Sequence, residues 1–320
     1  MSTNKENIIL VIGNGFDIAN GYKTKYGDFL SFIKEKKFES IEDIEIKNQF
    51  VKISNTNSFV KHFIALNKEL NTWVDVEREM KNIVDAISEI FTNDSYYITF
   101  NEIKRQNLKS NSEYIETIII EFNFFEKEGF ISRRFYSDIY GIIWEELEAY
   151  LYKELNDFKQ LLIWYLKYYM PLLSGTFKSI NQLEEIRPNH IITFNYTDYY
   201  EKYYTCDDVY HIHGKLDNNE IVLGYEDNEG DNLKFVKFKK YFQRLHYQYK
   251  QLPNSIFNEK YVVEGILGYS NKTNIVHVYG MSLDVTDKET ISFIYEKVKK
   301  FIVYYYNDDA RDKILVNLIE

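Results

Sequence analysis

An unbroken apolar run, Ile8-Ile9-Leu10-Val11-Ile12, ends directly on Gly13-Asn14-Gly15. A run this short, rich in β-branched residues and apolar at every position, reads as a strand buried on both faces. Such strands belong to parallel sheets covered by helices. Two glycines straight after the strand let backbone N–H groups approach a phosphate without side-chain obstruction. Asn14 and Asp17 add polar groups at the strand's carboxyl end, where α/β folds bind their ligands. The glycines at 13, 15 and 21 depart from the usual dinucleotide spacing, which puts the third glycine three residues after the second. A tight turn needing positive φ accounts for them equally well. Residues 22–26 read as a loop over the turn.

The rest of the chain falls into two patterns. Residues 26–34 read as a helix. From about 35 to 180 glycine is scarce and apolar residues recur at helical spacing, as in Phe59, Phe63, Leu66 and Leu70, and again in Ile143, Leu147, Tyr150 and Leu151. After residue 185 short apolar runs return, at 190–194, 209–213, 221–223, 275–279 and 301–306. This order predicts an α/β fold, a Rossmann-like parallel sheet with a large α-helical insertion. Residues 1–34 and 185–320 form the expected nucleotide-binding core, and residues 35–184 the insertion.

Composition removes several classes of function. The formal charge of −10 disfavours nucleic acid and anionic membranes as partners. The single cysteine, Cys206, excludes an intrachain disulfide and a four-cysteine zinc site. The polar start, Met1 to Asn7, lacks the apolar core of a signal peptide, and no run approaches a membrane span. The expectation is a cytoplasmic protein. The 29 tyrosines and 23 phenylalanines share A/T-rich codons with Ile, Asn and Lys, which explains them more simply than a base-stacking surface does. Lys234, Lys237, Lys239, Lys240 and Arg244 lie among Phe235, Phe238, Phe242, Leu245 and Tyr249. That segment reads as one amphipathic helix with a solvated basic face rather than a nucleic-acid patch.

Three later motifs carry polar chemistry. Thr193-Phe194-Asn195-Tyr196-Thr197-Asp198 ends a strand, and its Asn can hold a ribose hydroxyl, orient a water, or simply serve a turn or a helix cap. In Val209-Tyr210-His211-Ile212-His213-Gly214, strand alternation puts both histidines on one face. No acidic cluster at ligand spacing supports a metal there. His213 then reads as a general base near neutral pH or as a hydrogen-bonded structural histidine. Gly280, Ser282 and Asp284 end another strand and can offer groups to phosphate or ribose. Thr286-x-x-Glu289 reads as a capping box, and Asp287 as a carboxylate at a helix start. Asp75 and Glu77 are two apart, so on a helix they do not share a face, though either could reach a site singly.

The run Gly13-Asn14-Gly15-Phe16-Asp17-Ile18-Ala19-Asn20-Gly21, with Tyr26 and Asp28-Phe29, resembles the opening of the AbiH family of bacteriophage abortive infection proteins. Trp73-x-Asp75-x-Glu77, Phe194-Asn195-Tyr196-Thr197, His211-Ile212-His213-Gly214 and Gly280-Met281-Ser282-Leu283-Asp284 resemble its later blocks, in order and across almost the whole chain. The same blocks look like a distant sirtuin-type NAD-binding core. That resemblance implies Asn195 and His213 as the catalytic pair. It implies that Gly13, Gly15 and Ser282 hold phosphates or ribose, and Asn14, Asp17, Thr193, Gly280 and Asp284, at the same strand ends, complete the expected NAD-binding set. Protein deacylation is disfavoured, because one cysteine cannot supply the sirtuin zinc module. The sirtuin acid two residues after the Asn is here Thr197, and the proline of the sirtuin loop is absent after Gly21-Tyr22. The implied function is an antiphage effector that binds NAD and hydrolyses its nicotinamide–ribose bond without a metal. The alternative is a non-catalytic nucleotide sensor that gates a partner. Expected partners are NAD or a related nucleotide, a phage-derived trigger, and further copies of the chain.

Overall fold

The apolar run becomes β1 (Glu6–Ile12), the middle of five parallel strands in a computed structural model of the chain. The other four are β2 (His190–Thr193), β3 (Val209–His211), β4 (Thr273–Tyr279) and β5 (Lys300–Tyr304). The structure describes residues 6–319 apart from 37, 39–41, 66–72, 91–96, 100–135, 138–140, 175–179, 181–182, 227–232, 250–251, 258–259, 264–265 and 270–272. Leu66 and Leu70 lie outside the described residues.

The strand order is β5-β4-β1-β2-β3. The chain runs outward from β1 to β3 on one side and from β4 to β5 on the other. The direction therefore reverses between β1 and β4, the place where open α/β sheets bind ligands. Ile9, Leu10, Val11 and Ile12 are fully buried. Ile9 and Val11 join Ile192, Val276 and Val278 on one face, under Ile291, Ile294 and Ile314 of two C-terminal helices, Lys288–Glu296 and Asp308–Ile319. Leu10 and Ile12 join Phe16, Leu183, Ile191 and Tyr200 on the other. A strand covered on both faces cannot alternate apolar with polar, which is why the run is continuous.

The chain divides into two compact units. Met1–Thr24, Leu173–Val222 and Gln243–Glu320 form one, and Lys25–Leu172 with Leu223–Phe242 form the other. The Tyr26–Lys34 helix thus belongs with the helical unit. That unit is built on aromatics. Phe29, Phe50, Phe59, Phe158 and Tyr165 are fully buried, and Phe32 lies 4.2 Å from Tyr169 between ring centroids. The helix Trp144–Trp164 widens to a π turn at Tyr165–Tyr169. Pro171 comes two residues after that turn; it lacks the N–H that would bond the Lys167 carbonyl, and its ring crowds that carbonyl.

Several local expectations change. Ile143 lies in a short strand, Gly141–Ile143, and the helix begins at Trp144. The 221–223 run contributes a strand, Glu220–Ile221, that pairs antiparallel with Gly214–Lys215 outside the main sheet. The 234–250 segment is not one helix: a kinked 3-10 stretch, Leu233–Phe238, precedes a short helix, Lys240–His246. Its basic face is not wholly solvated either. Lys239 is buried, and Lys240 sits fully buried at 2.8 Å from the Glu77 carboxylate. The ion pair is what makes burying that lysine tolerable.

The loops after β1 and β4 touch through backbone. The Gly13 N–H donates to the Tyr279 carbonyl at 3.0 Å, and the Gly15 N–H to the Gly280 carbonyl at 2.8 Å. Gly280 has φ +70°, and a Cβ there would stand 2.3 Å from the Phe16 nitrogen. A Cβ on Gly15 would stand 2.6 Å from the Gly280 Cα. Both the left-handed backbone and the close approach demand glycine. Gly280→Ala is expected to lower stability by about 2–4 kcal/mol. Urea denaturation checks this, and a change below about 0.5 kcal/mol, the surface-substitution range, would show that the contact is slack.

Candidate active site

Four strand ends of the α/β unit carry the candidate residues. At the end of β1, the Asn14 Oδ1 accepts from the Thr24 hydroxyl at 2.6 Å, which pins the loop after Gly21. Asp17 is buried, and its carboxylate accepts from the Thr197 hydroxyl. Gly13 and Gly15 spend their N–H groups on the β4 loop, as above.

At the end of β2, the chain turns at once. The Thr193 Oγ1 accepts the Asn195 N–H at 3.1 Å, and the Asn195 Nδ2 donates to the Gly13 carbonyl at 3.1 Å. The amide is thereby fixed with its nitrogen toward β1. Its oxygen, Oδ1, is buried and has no hydrogen-bond partner among the described residues. A buried acceptor left unmade costs on the order of 1–3 kcal/mol, so this one invites a donor.

The end of β3 departs from the alternating strand that the histidines suggest. β3 stops at His211, and the chain bends through Ile212 and His213 to Gly214 at φ +84°. A Cβ on Gly214 would stand 2.5 Å from the Glu220 carbonyl oxygen, so the bend is built around that glycine. The histidines consequently have different partners. The His211 Nε2 lies 3.0 Å from the Tyr200 hydroxyl. Burial, reinforced by the charge of Lys215, pushes the His211 pKa down to about 4, so the ring is neutral at physiological pH. His213 is 5% exposed, with its ring edge-on to Phe194 at 5.3 Å. Its Nε2 stands 3.0 Å from Oδ1 of Asp287, an ion-pair distance for a protonated ring, although the two atoms do not meet in hydrogen-bond geometry.

The loop after β4 supplies that carboxylate. Asp284 accepts weakly from the Thr286 N–H at 3.4 Å, and the Ser282 carbonyl accepts from Asn317 at 2.8 Å. Leu283 carries φ +54° between them. The expected capping box does not start the helix at Thr286. A 3-10 turn, Val285–Asp287, comes first, and Asp287 takes the N-cap position without a side-chain cap bond. Its carboxylate faces His213 instead. Sequence reasoning missed this partner; the available signal was an acidic residue in the loop after a core strand, where α/β sites gather. Glu77, the other candidate acid, is held by Lys240 inside the helical unit. Among the described residues no three or more His, Cys, Asp or Glu side chains form a metal-binding group, and no helix is long and apolar enough to cross a membrane.

The five-stranded parallel order, with its reversal beside β1, makes this a Rossmann-like α/β protein. Within that class, the chain belongs to the bacteriophage abortive infection AbiH family, whose model matches residues 9–307. That membership points to a role in phage abortive infection. No curated protein and no solved structure matches the chain.

The His211 environment has a pH consequence. Its folded pKa lies below the unfolded value, so its contribution to stability is complete above about pH 6.5 and is lost as pH falls through about 4. His211→Gln is expected to remove about 1–3 kcal/mol of the acid sensitivity between those limits. Urea midpoints at neutral and mildly acidic pH measure it. An identical acid response in both proteins would contradict the burial argument.

Proposed function

We propose that the site binds NAD as substrate and hydrolyses its nicotinamide–ribose bond during phage infection. The observation that carries this reading is the buried, unpartnered Asn195 Oδ1, fixed beside the β1 loop, at the same end of the sheet as the His213–Asp287 pair. An acceptor that lacks a donor suits a ribose hydroxyl or a water. A histidine facing a carboxylate suits proton removal, because the carboxylate steadies the imidazolium that forms.

In the reaction the C1′–N bond breaks and its electron pair leaves with nicotinamide, which departs neutral. Water oxygen bonds to C1′ of the oxocarbenium-like ribose. His213 takes the water's proton and later yields it to solvent, so the products are nicotinamide, ADP-ribose and a proton. Asn195 places the ribose or the water, and Asp287 orients His213. Gly13, Asn14, Gly15, Asp17, Thr193, Gly280, Ser282 and Asp284 border the ligand in this reading. The amides of Gly13 and Gly15 already serve the β4 loop. Their part is then to shape the floor of the site rather than to donate to a phosphate.

Chromatography of NAD incubated with purified protein, with and without lysate of infected cells, tests the proposal. Wild type is expected to release nicotinamide and ADP-ribose. His213→Ala should lose about 10²–10⁴-fold in rate, the usual worth of a general base, and Asn195→Ala should also be severely slowed. Intact NAD in every sample, with nucleotide still bound, would favour a non-catalytic sensor that gates a partner.

A further inference from the structure

We propose that one of the two outer edges of the sheet, that at β5, is a self-pairing surface through which two copies of this chain join their sheets antiparallel about a two-fold axis. No strand pairs with the outer edge of β5 among the described residues. None of its five residues is buried, as none is in β3 at the opposite edge, whereas the interior strand β2 is buried throughout. Edge strands are normally blunted by proline, by inward-pointing charge or by a covering element, because an open edge templates pairing. Here the strand Lys300–Tyr304 reads Lys-Phe-Ile-Val-Tyr, and its only charge is at its start.

Exposed apolar side chains flank the same strand along the chain. Tyr295 precedes the strand, Tyr305 and Tyr306 follow it, and Leu315, Leu318 and Ile319 lie on the helix that comes next in the chain. Tyr306 is 89% exposed and Ile319 85%. Exposed apolar side chains flanking an open strand edge suit burial against a second such edge.

Charge selects the occupant. The chain is net basic before the strand, where Lys297, Lys299 and Lys300 outnumber Glu296, and acidic after it, at Asp308 and Asp309 in the first turn of the next helix, all of them exposed. Arg311 holds Asp308 at 3.1 Å, which leaves Asp309 the freer acid. In an antiparallel pair of identical edges, the basic start of each copy lies beside the acidic end of the other. A parallel pair would set like charges together. The edge is therefore self-complementary under a two-fold, as an isologous interface requires. Phe301 and Val303 pack on one face of the sheet and Tyr304 on the other. Joining the edges extends both apolar layers across the axis.

Analytical ultracentrifugation of the full chain at micromolar concentration tests this. Wild type is expected to sediment at twice its 38.5 kDa chain mass. K299E/K300E and D308K/D309K should each weaken the dimer by at least about tenfold through like-charge juxtaposition, with far-ultraviolet circular dichroism unchanged. Mixing the two variants should restore the dimer. A monomeric wild type, or a dimer that neither charge reversal weakens, would overturn the proposal.

Discussion

The hydrogen bond from the Gly15 N–H to the Gly280 carbonyl, at 2.8 Å, organises the α/β unit. It joins the loops after β1 and β4 at the one place where the strand order reverses. Side chains would keep those loops apart, since a Cβ on either glycine collides with the other's backbone. Once they are joined, the carboxyl ends of four adjacent strands share a floor. Asn195 is anchored to that floor through the Gly13 carbonyl. Asp287 leaves the same β4 loop and meets His213 from the end of β3. Asn195 thus owes its position to backbone, whereas Asn14, Asp17 and His213 are each held by a side-chain partner.

The helical unit is held differently. Buried aromatic rings run through its core beside the aliphatic side chains, and ring pairs at 4.2–5.8 Å add directional packing. Inside it lies a second kind of constraint, the Lys240–Glu77 pair, with the His62–Glu79 pair also fully buried at 2.9 Å. Removing either partner of the Lys240–Glu77 pair would leave a buried charge, which costs about 3–5 kcal/mol.

Much of the architecture is legible in the sequence because it follows from local pattern. A doubly covered strand shows itself as an unbroken apolar run, and Ile8 to Ile12 lie in the central strand. The helix at Tyr26–Lys34 follows from its periodicity and matches its predicted bounds. The strands after residue 185 are visible as apolar runs, but the runs outlast the strands: β2 stops before Phe194 and β3 before Ile212, where side-chain and glycine geometry turn the chain. What stays hidden are pairings between distant segments. Nothing near Lys240 announces Glu77, so a buried lysine looks like part of a solvated face. Nothing near His213 announces Asp287, whose position at a helix start already has a sufficient local reason. The partner of the glycine turn is equally invisible, because a turn and a close contact ask for the same residue.

A buried acceptor that lacks a donor and a histidine that faces a carboxylate are the features the chemistry rests on. The NAD content of phage-infected cells tests that chemistry most directly. In cells producing the wild-type chain, NAD should collapse after infection, with nicotinamide rising in step, while cells producing His213→Ala hold their NAD and lyse. Steady NAD in cells whose infection is nonetheless aborted would contradict the account.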